Sequence, residues 1–151
     1  METVNKNYFT MIQMRAALLN IHQQLTDQQW LPEVILGVNR GGCIPAIYLS
    51  HKLNIPHQTL NVSLRDHADT PDLRTLEKVY AWQKRVLILD DINDTGATWN
   101  YIMNNFGKPE RLKFAAILHN TASTYQEIDY KGYVINKLED PRWIVFPWEQ
   151  W

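Results

Sequence analysis

Residues 86–98 read Val-Leu-Ile-Leu-Asp-Asp-Ile-Asn-Asp-Thr-Gly-Ala-Thr. The four apolar residues at 86–89 predict a short strand buried on both faces, as in the middle of a parallel sheet. Asp90 and Asp91 stand where this strand is expected to leave the sheet, and an apolar pattern at helical spacing begins beyond Thr98. In open α/β sheets ligands bind outside the carboxyl ends of the strands. The stretch therefore predicts an α/β fold with a pocket at this loop.

The polar residues of this loop suit a phosphorylated sugar. Hydroxyls and backbone N–H groups gather at a predicted helix N-terminus, where the helix dipole favours an anion, in Thr95, Gly96, Ala97 and Thr98. Asp90 and Asp91 would repel phosphate, so we expect them to face hydroxyl donors or a hard cation such as Mg²⁺. A phosphorylated ribose with a metal-bound diphosphate at C1 satisfies all of these groups. The alternative is a solvated loop in which Asp94 merely caps the helix.

The same residues resemble the phosphoribosyl pyrophosphate (PRPP) signature of type I phosphoribosyltransferases. The resemblance implies a doubly wound, mostly parallel α/β sheet with a mobile hood loop and a short C-terminal base-binding segment. It also implies that Asp90 and Asp91 hold the ribose hydroxyls, with Asp91 the metal-binding residue closer to Mg²⁺. Asp94 becomes the catalytic acid near the base. The implied 5′-phosphate cradle consists of Asp94, Thr95, Gly96, Ala97 and Thr98.

A second loop of this kind lies upstream, where the apolar residues 34–38 lead into Asn-Arg-Gly-Gly at 39–42. Glycine lets a backbone approach an oxyanion closely, and Arg40 offers up to five N–H donors. Taken alone, the pattern fits a tight turn as well as an anion site. Its position is similar to the family's pyrophosphate loop, which often has a cis or otherwise strained non-proline peptide. The resemblance therefore implies pyrophosphate binding by Asn39, Arg40 and Gly41.

The C-terminal segment Trp-Ile-Val-Phe-Pro-Trp-Glu at 143–149 is similar to that of the short bacterial xanthine-guanine phosphoribosyltransferases. The resemblance implies that Trp143 stacks on a purine and that the following backbone, at Ile144, contacts its exocyclic groups. The family also places a lysine near the purine 6-oxo group. Asn120 takes that position here, so we expect an uncharged donor. A hydrophobic edge strand packed on the core is the alternative for this segment.

Hydrophobic periodicity predicts the other elements. We expect strands at 56–64, 112–118, 134–135 and 144–146, and helices at 8–25, 44–53 and 98–106. Possible caps of the first helix are Asn5 and Asn7. Its expected apolar residues are Phe9, Ile12, Met14, Leu18, Leu19 and Ile21, and those of the second helix are Ile44, Tyr48, Leu49 and Leu53. Residues 65–82, by resemblance, form the mobile hood over the site. His67 within them is interpreted as solvated.

Composition limits the remaining classes of function. The length of 151 residues fits one domain, 1–151. A net charge of -1 and a pI of about 6.5 argue against nucleic-acid or membrane partners. Because no signal-peptide core or long apolar run is present, we expect a cytoplasmic protein. Cys43 is the single cysteine, which excludes an internal disulfide and a multi-cysteine zinc site. Relatives are dimers or tetramers, so a homo-oligomer is expected.

The predicted function is Mg²⁺-dependent transfer of the phosphoribosyl group from PRPP to N9 of guanine, xanthine or hypoxanthine, as in purine salvage. The products are a nucleoside 5′-monophosphate and pyrophosphate. A non-catalytic PRPP- or nucleotide-sensing regulatory module is one alternative, although residues 1–33 are too few for a winged helix ahead of the first strand. The other is a phosphoribosyltransferase for a pyrimidine or another acceptor, which the segment at 143–149 disfavours.

Overall fold

The computed structural model of the chain describes residues 5–62, 64 and 70–149. Its elements in chain order are β1 (Lys6–Tyr8), α1 (Met11–Asp27), β2 (Val34–Val38), α2 (Cys43–Leu53), β3 (His57–Leu60), α3 (Arg74–Tyr80), β4 (Val86–Asn93), α4 (Ala97–Asn105), β5 (Leu112–Asn120), β6 (Tyr130–Ile135) and β7 (Trp143–Val145). The main sheet has five parallel strands in the order β3-β2-β4-β5-β6. The predicted α/β fold with a parallel sheet is confirmed.

Helices cover both faces of this sheet. Leu87 and Leu89 of β4 pack in one core with residues of α1 and α2, whereas Ile88 packs in a second core with residues of α3 and α4. The residues of β4 alternate between the two cores because successive side chains of a strand point to opposite faces of the sheet. None of the helices in the described part of the chain has the length and apolar character needed to cross a lipid bilayer. The doubly wound arrangement is therefore as predicted.

The order of the strands creates a crevice between β2 and β4. From β2 the chain moves outward to β3 and then returns to place β4 on the other side of β2. Pairing between β2 and β4 ends at Gly37 and Leu89, while β4 stays paired with β5 as far as Asn93 and His119. The carboxyl ends of β2 and β4 thus separate at the point where open α/β sheets bind ligands.

The first helix differs from its prediction at its start and on its surface. Its N-cap is Thr10, which forms a capping box with Gln13, and not Asn5 or Asn7. The predicted Met14, Leu18 and Ile21 are buried, together with Ala17 and Leu25. Ile12 is 79% exposed and Leu19 56% exposed, because they lie outside this buried stripe. On α2 the predicted Leu49 is buried and Ile44 and Leu53 are half-buried, but Tyr48 is exposed, and Pro45 and Ala46 are buried in addition.

Within the predicted hood at 65–82, the structure forms a helix that was not expected, α3. Leu76 and Val79 are fully buried in the core, because Leu73, Leu76 and Val79 recur at helical spacing. This segment also leads to the start of β4, at the edge of the sheet opposite the crevice. Its start lies at the other edge, where the Asp72 N–H donates to the carbonyl oxygen of Asn61 just after β3. Residues 65–69, including His67, lie outside the described residues.

β1 is an element that the sequence did not reveal. Its three residues pair in parallel with β7, with Lys6 opposite Trp143 and Tyr8 opposite Val145. A strand of three residues has too little periodicity to be recognised, and this one is fixed by a partner far along the chain. The pairing anchors the C-terminal segment that was predicted to bind the base.

Candidate active site

The two predicted anion loops meet in the crevice between β2 and β4. A Cβ atom on Gly41 would overlap the carboxylate of Asp91. A Cβ on Gly42 would lie 2.6 Å from the carbonyl oxygen of Leu89 and 2.9 Å from the Cα of Asp90. Only glycine permits this approach, so the upstream loop lies directly against the acidic pair. The structure thereby brings the predicted pyrophosphate and ribose residues together.

The upstream loop has the peptide geometry that the resemblance implied, since the Asn39–Arg40 bond is cis. The Asn39 side chain donates a 2.9 Å hydrogen bond to Asn61 Oδ1, which ties the loop to the segment after β3. Arg40 is exposed at the mouth of the crevice. Glycine at position 42 begins α2 and provides no side-chain cap, so the positive end of this helix also faces the loop.

Asp90 and Asp91 lie inside β4 and not beyond its end, which corrects the sequence interpretation. All eight residues of the strand are buried, with Asp90 4% and Asp91 0% exposed. The strand continues because β5 pairs with it as far as Asn93. The Asp91 carboxylate lies against Gly41, whereas Asp90 lines the cleft formed by residues 92–99. The two acids therefore serve neighbouring parts of one site.

This cleft, which we call the phosphate cleft, has a volume of about 280 Å³. It is lined by Asp90, Ile92, Asn93, Asp94, Thr95, Gly96, Ala97, Thr98 and Trp99. Gly96 is the N-cap of α4 with φ +93°, a conformation that glycine adopts without strain. Asp94 is therefore not the cap, contrary to the alternative interpretation of the loop. Gly96 has no side chain to cap α4, and the Thr95 hydroxyl accepts only from the Ala97 N–H at 3.3 Å, so the N-terminus of the helix opens into the cleft.

A buried network that the sequence did not reveal supports the phosphate cleft from beneath. Asn93 donates to the carbonyl oxygen of Tyr125 at 2.7 Å and accepts from Ser123 Oγ at 2.9 Å. Thr95 is held from the same segment, because its carbonyl oxygen accepts from both the N–H and the hydroxyl of Thr124 at 2.9 and 2.7 Å. The loop is thus fixed to the chain beyond β5.

His119 completes this network in its neutral form. Asn93 Nδ2 lies 3.1 Å from His119 Nδ1, and Gln126 Oε1 lies 3.1 Å from His119 Nε2. Since the Gln126 amide nitrogen donates to the carbonyl oxygens of Thr121 and Ser123, its oxygen faces the imidazole and accepts from it. Burial lowers the pKa of His119, outweighing the opposite effect of the Gln126 hydrogen bond.

A second cleft adjoins the first and has a volume of about 180 Å³. We call it the base cleft; it is lined by Ile92, Asp94, Lys137, Trp143, Ile144 and Phe146. Trp143 is 47% exposed, whereas Ile144 is buried, so β7 packs on the core through Ile144 and leaves the indole accessible. Asp94 borders both clefts. The structure therefore places Asp94 between the predicted phosphate and purine residues.

Asn120 does not line the base cleft. It is 4% exposed, and its amide nitrogen donates to the main-chain carbonyl of Asp94 at 3.0 Å. Its amide oxygen accepts from the backbone N–H groups of Ala122 and Lys137 at 3.1 and 3.0 Å. These contacts tie Asn120 to the main chain of Asp94 and Lys137, and its contact with the purine stays a prediction. The cation in the cleft is Lys137, which the sequence analysis missed.

The acidic pair fits a magnesium ion. Mg²⁺ keeps several waters and is held by one or two carboxylates together with substrate phosphates. Asp91, with Asp90 beside it, offers this donor set where the carboxylate meets the pyrophosphate loop. Among the described residues there is no group of three or more His, Cys, Asp or Glu side chains that forms a complete metal cage. A metal held jointly with phosphates is the kind of site that these residues support.

Comparison with known proteins agrees with this architecture. A model of the phosphoribosyl transferase domain family matches residues 4–150. The solved purine phosphoribosyltransferase from Pyrococcus horikoshii Ot3 is 31% identical, with a TM-score of 0.71 over 97% of this chain and 95% of that one. The xanthine-guanine-hypoxanthine phosphoribosyltransferase of Helicobacter pylori shares the fold at 19% identity, with a TM-score of 0.69 over 97% and 94% of the two chains. A family match over almost every residue, joined by that 31% identity, shows that this chain belongs to the phosphoribosyltransferases.

Proposed function

We propose that this enzyme transfers the phosphoribosyl group of PRPP to N9 of a 6-oxopurine, with Mg²⁺, releasing pyrophosphate. The observation that carries the proposal is the position of Asp94, which borders both the phosphate cleft and the base cleft. A sugar phosphate in the first and a base in the second would meet beside its carboxylate. The printed name of the 31% identical relative, a purine phosphoribosyltransferase, supports a purine as the acceptor.

The phosphate cleft supplies the groups that hold the sugar. The N-terminus of α4 and the hydroxyls of Thr95 and Thr98 would bind the 5′-phosphate. Asp90 and Asp91 would accept hydrogen bonds from the ribose hydroxyls. Asn39, Arg40 and Gly41 would bind the pyrophosphate, because this loop lies against the acidic pair. When bound, Mg²⁺ supplies positive charge to the departing pyrophosphate, with Asp91 as its protein ligand.

The reaction breaks the bond between C1 and the pyrophosphate oxygen, and the electron pair leaves with pyrophosphate. A bond then forms between C1 and N9 of the purine. Arg40 and the loop N–H groups would stabilise the negative charge on the leaving group. Asp94 would accept the proton from N7 as N9 bonds to C1, since its carboxylate lies in the base cleft. Trp143 would fix the plane of the base by stacking.

Pyrophosphate release tests this proposal. The full chain is incubated with PRPP and Mg²⁺ and, separately, with guanine, xanthine, hypoxanthine, adenine, uracil or orotate, and the nucleotide product is identified by mass. We expect release with the 6-oxopurines and its loss when EDTA removes the metal. Release of pyrophosphate with uracil or orotate alone would show that the acceptor is a pyrimidine and not a 6-oxopurine. PRPP binding without release by any base would identify a sensing module in place of an enzyme.

A homo-oligomer and a cytoplasmic location belong to the same proposal. Exposed aromatic and aliphatic side chains on α1 and α2, among them Ile12, Leu19, Ile47 and Tyr48, are available to a subunit contact. Light scattering after size-exclusion chromatography gives the mass of the assembly. A mass of two or four chains would agree with the proposal, and a mass of one chain would contradict this part of it.

A further inference from the structure

The indole nitrogen of Trp148 lies beside the loop proposed to bind pyrophosphate. A Cβ atom on Gly41 would be 3.3 Å from Trp148 Nε1 and would also overlap the carboxylate of Asp91. The indole nitrogen and the carboxylate therefore both lie against the same face of Gly41. The C-terminal segment, which carries Trp143 in the base cleft, thus also reaches the crevice between β2 and β4.

The N–H group of this indole is buried, and it has no hydrogen-bond partner among the residues that the structure describes. A buried donor without an acceptor destabilises the folded chain, so such groups are rare in proteins. An acceptor that arrives with a ligand removes this cost. The Trp148 donor therefore favours a ligand that brings an acceptor to Gly41.

The indole is held in position by its own segment. The Trp148 ring stacks on the Phe146 ring, with centroids 5.0 Å apart and an angle of 9° between the planes. Phe146 is 1% exposed, and its backbone is fixed because its N–H and its carbonyl oxygen both bond to Glu149, each at 3.0 Å. The donor thus needs little reordering when a ligand arrives, which favours binding.

Pyrophosphate supplies the kind of acceptor that this donor requires. The indole nitrogen only donates hydrogen bonds, so it suits an oxyanion and not a metal ion. A hydrogen bond to a charged oxygen is shorter and stronger than one to a neutral group. Since the adjacent loop is the one proposed to bind pyrophosphate, a pyrophosphate oxygen at Gly41 would complete the hydrogen bonding of the indole.

We propose that Trp148 is a pyrophosphate-binding residue, whose Nε1–H donates to an oxygen of the pyrophosphate group of PRPP beside Arg40 and Gly41. The inference rests on the proposed function. The C-terminal segment then contacts both reactants, the base through Trp143 and the pyrophosphate through Trp148. Because the leaving group gains negative charge as its bond to C1 breaks, the same hydrogen bond stabilises its departure.

Equilibrium binding of pyrophosphate with Mg²⁺ tests the proposal without requiring turnover, and ribose 5-phosphate serves as the ligand that lacks this group. Trp148→Phe removes the donor and keeps a ring on Phe146. Trp148→His loses similar bulk but keeps a five-membered ring, whose Nε2 can take the place of the indole nitrogen. Calorimetry at about pH 8, above the ordinary histidine pKa of about 6.5, gives the dissociation constants.

The matched control is Tyr130→Phe. The Tyr130 hydroxyl is likewise buried without a partner among the described residues. Tyr130 begins β6, however, so it lies at the amino ends of the parallel strands, opposite the crevice. The variant therefore deletes the same kind of unpaired group far from the proposed pyrophosphate loop.

We expect Trp148→Phe to weaken pyrophosphate binding by about 10- to 100-fold, the fold-change for a lost hydrogen bond to a charged group. Trp148→His should recover most of this loss. Ribose 5-phosphate binding should change by less than about 3-fold in every variant. Tyr130→Phe should bind both ligands as the unmodified chain does.

Three results would overturn the proposal. One is unchanged pyrophosphate affinity in Trp148→Phe, and another is a Trp148→His variant that binds pyrophosphate as weakly as Trp148→Phe. The third is an equal loss for ribose 5-phosphate, which indicates a merely structural ring. Failure of the proposed function alone is distinguishable, because a chain that binds pyrophosphate but transfers no phosphoribosyl group still reports the role of Trp148. An unmodified chain that does not bind pyrophosphate would overturn both.

Discussion

Gly41 lies directly against the carboxylate of Asp91, so closely that a Cβ atom at position 41 would overlap it. The contact joins the loop after β2 to the middle of β4, across the crevice where these strands separate. It therefore sets the distance between the groups proposed to hold the pyrophosphate and the acid proposed to hold magnesium.

Gly41→Ala should displace either the loop or the Asp91 carboxylate. A misplacement of about 1 Å at a reacting centre costs about 10²-fold in rate, so we expect kcat/KM for PRPP to fall by about that factor. Gly107→Ala is the control, since nothing lies within 4 Å of a Cβ there, although φ is +88°. Because alanine is strained at this positive φ, Gly107→Ala should lower the melting temperature, but it should leave kcat/KM unchanged. An unaltered PRPP dependence in Gly41→Ala would show that the contact is not functional.

Asp94→Asn keeps the shape of the side chain at the junction of the two clefts and removes its charge. If Asp94 accepts the N7 proton, kcat should fall by about 10²- to 10⁴-fold, the usual contribution of a general acid or base. The dissociation constant of PRPP should change far less. Asp129→Asn is matched in exposure, at 23% against 20%, and in its lysine partner. Equal kcat in Asp94→Asn and the unmodified chain would remove Asp94 from this role.

The sequence predicted the central part of the fold and site because both depend on short-range patterns. An apolar run followed by Asp90, Asp91 and Thr-Gly-Ala-Thr specifies a strand, a loop and a helix start within about a dozen residues. The helix at 44–53 and the strand at 112–118 were recognised in the same way. In each case the neighbouring residues in the chain carry the whole signal.

Features that depend on distant contacts could not be predicted in this way. The extension of β4 through Asp91 requires pairing with β5, and β1 exists only through β7. Lys137 enters the base cleft because Asn120, seventeen residues earlier, holds its backbone. Helix α3 was missed for another reason: the helical spacing of Leu73, Leu76 and Val79 was present but lay within a segment that resemblance assigned to a loop.

Asn93→Ala should destabilise the protein by about 2 to 4 kcal/mol. The side chain is 1% exposed, and its removal breaks three buried hydrogen bonds, to Tyr125, Ser123 and His119. It leaves His119 Nδ1 without a partner, at about 1 to 3 kcal/mol for an unsatisfied buried group, while the Tyr125 carbonyl keeps Ser123 Oγ at 3.1 Å. Asn100→Ala is the control, because this half-buried side chain also contacts the 123–125 segment, through Thr124 Oγ1. Urea denaturation measures both variants. A similar loss of stability in both variants would show that the burial of the Asn93 hydrogen bonds does not account for their contribution to stability.

His119 should make stability depend on pH. Burial lowers its pKa in the folded state below the ordinary value of 6.5, so below that pH the unfolded chain binds a proton that the folded chain does not. The contribution of His119 to the free energy of unfolding is complete above pH 6.5 and is lost as the pH falls toward the folded-state pKa. The free energy of unfolding then falls by at most about 1.4 kcal/mol per pH unit. A protonated ring would also place an Nδ1–H against the donor amide of Asn93.

His119→Gln separates this effect from those of the other histidines, which both proteins share. The difference in unfolding free energy between the unmodified chain and His119→Gln should narrow as the pH is lowered from 7.5 to 5. Denaturant titrations at each pH give this difference directly. A constant difference over the range would show that His119 does not titrate with a lowered pKa.

Trp143→Ala should weaken base binding without affecting the sugar phosphate. Stacking on an aromatic side chain contributes about 1 to 3 kcal/mol per base, so we expect KM for the purine to rise by about 5- to 150-fold and KM for PRPP to stay within about 2-fold. Trp143→Phe keeps a stacking surface and should recover most of the loss. Trp82→Ala is the control, because Trp82 is similarly exposed, at 44% against 47%, but lies before the start of β4, at the opposite edge of the sheet. Ile144 and Val145 hold β7 against the core, so replacing the exposed indole leaves the packing of the strand intact. A parallel rise in KM for the purine and KM for PRPP would show that the base does not stack on Trp143.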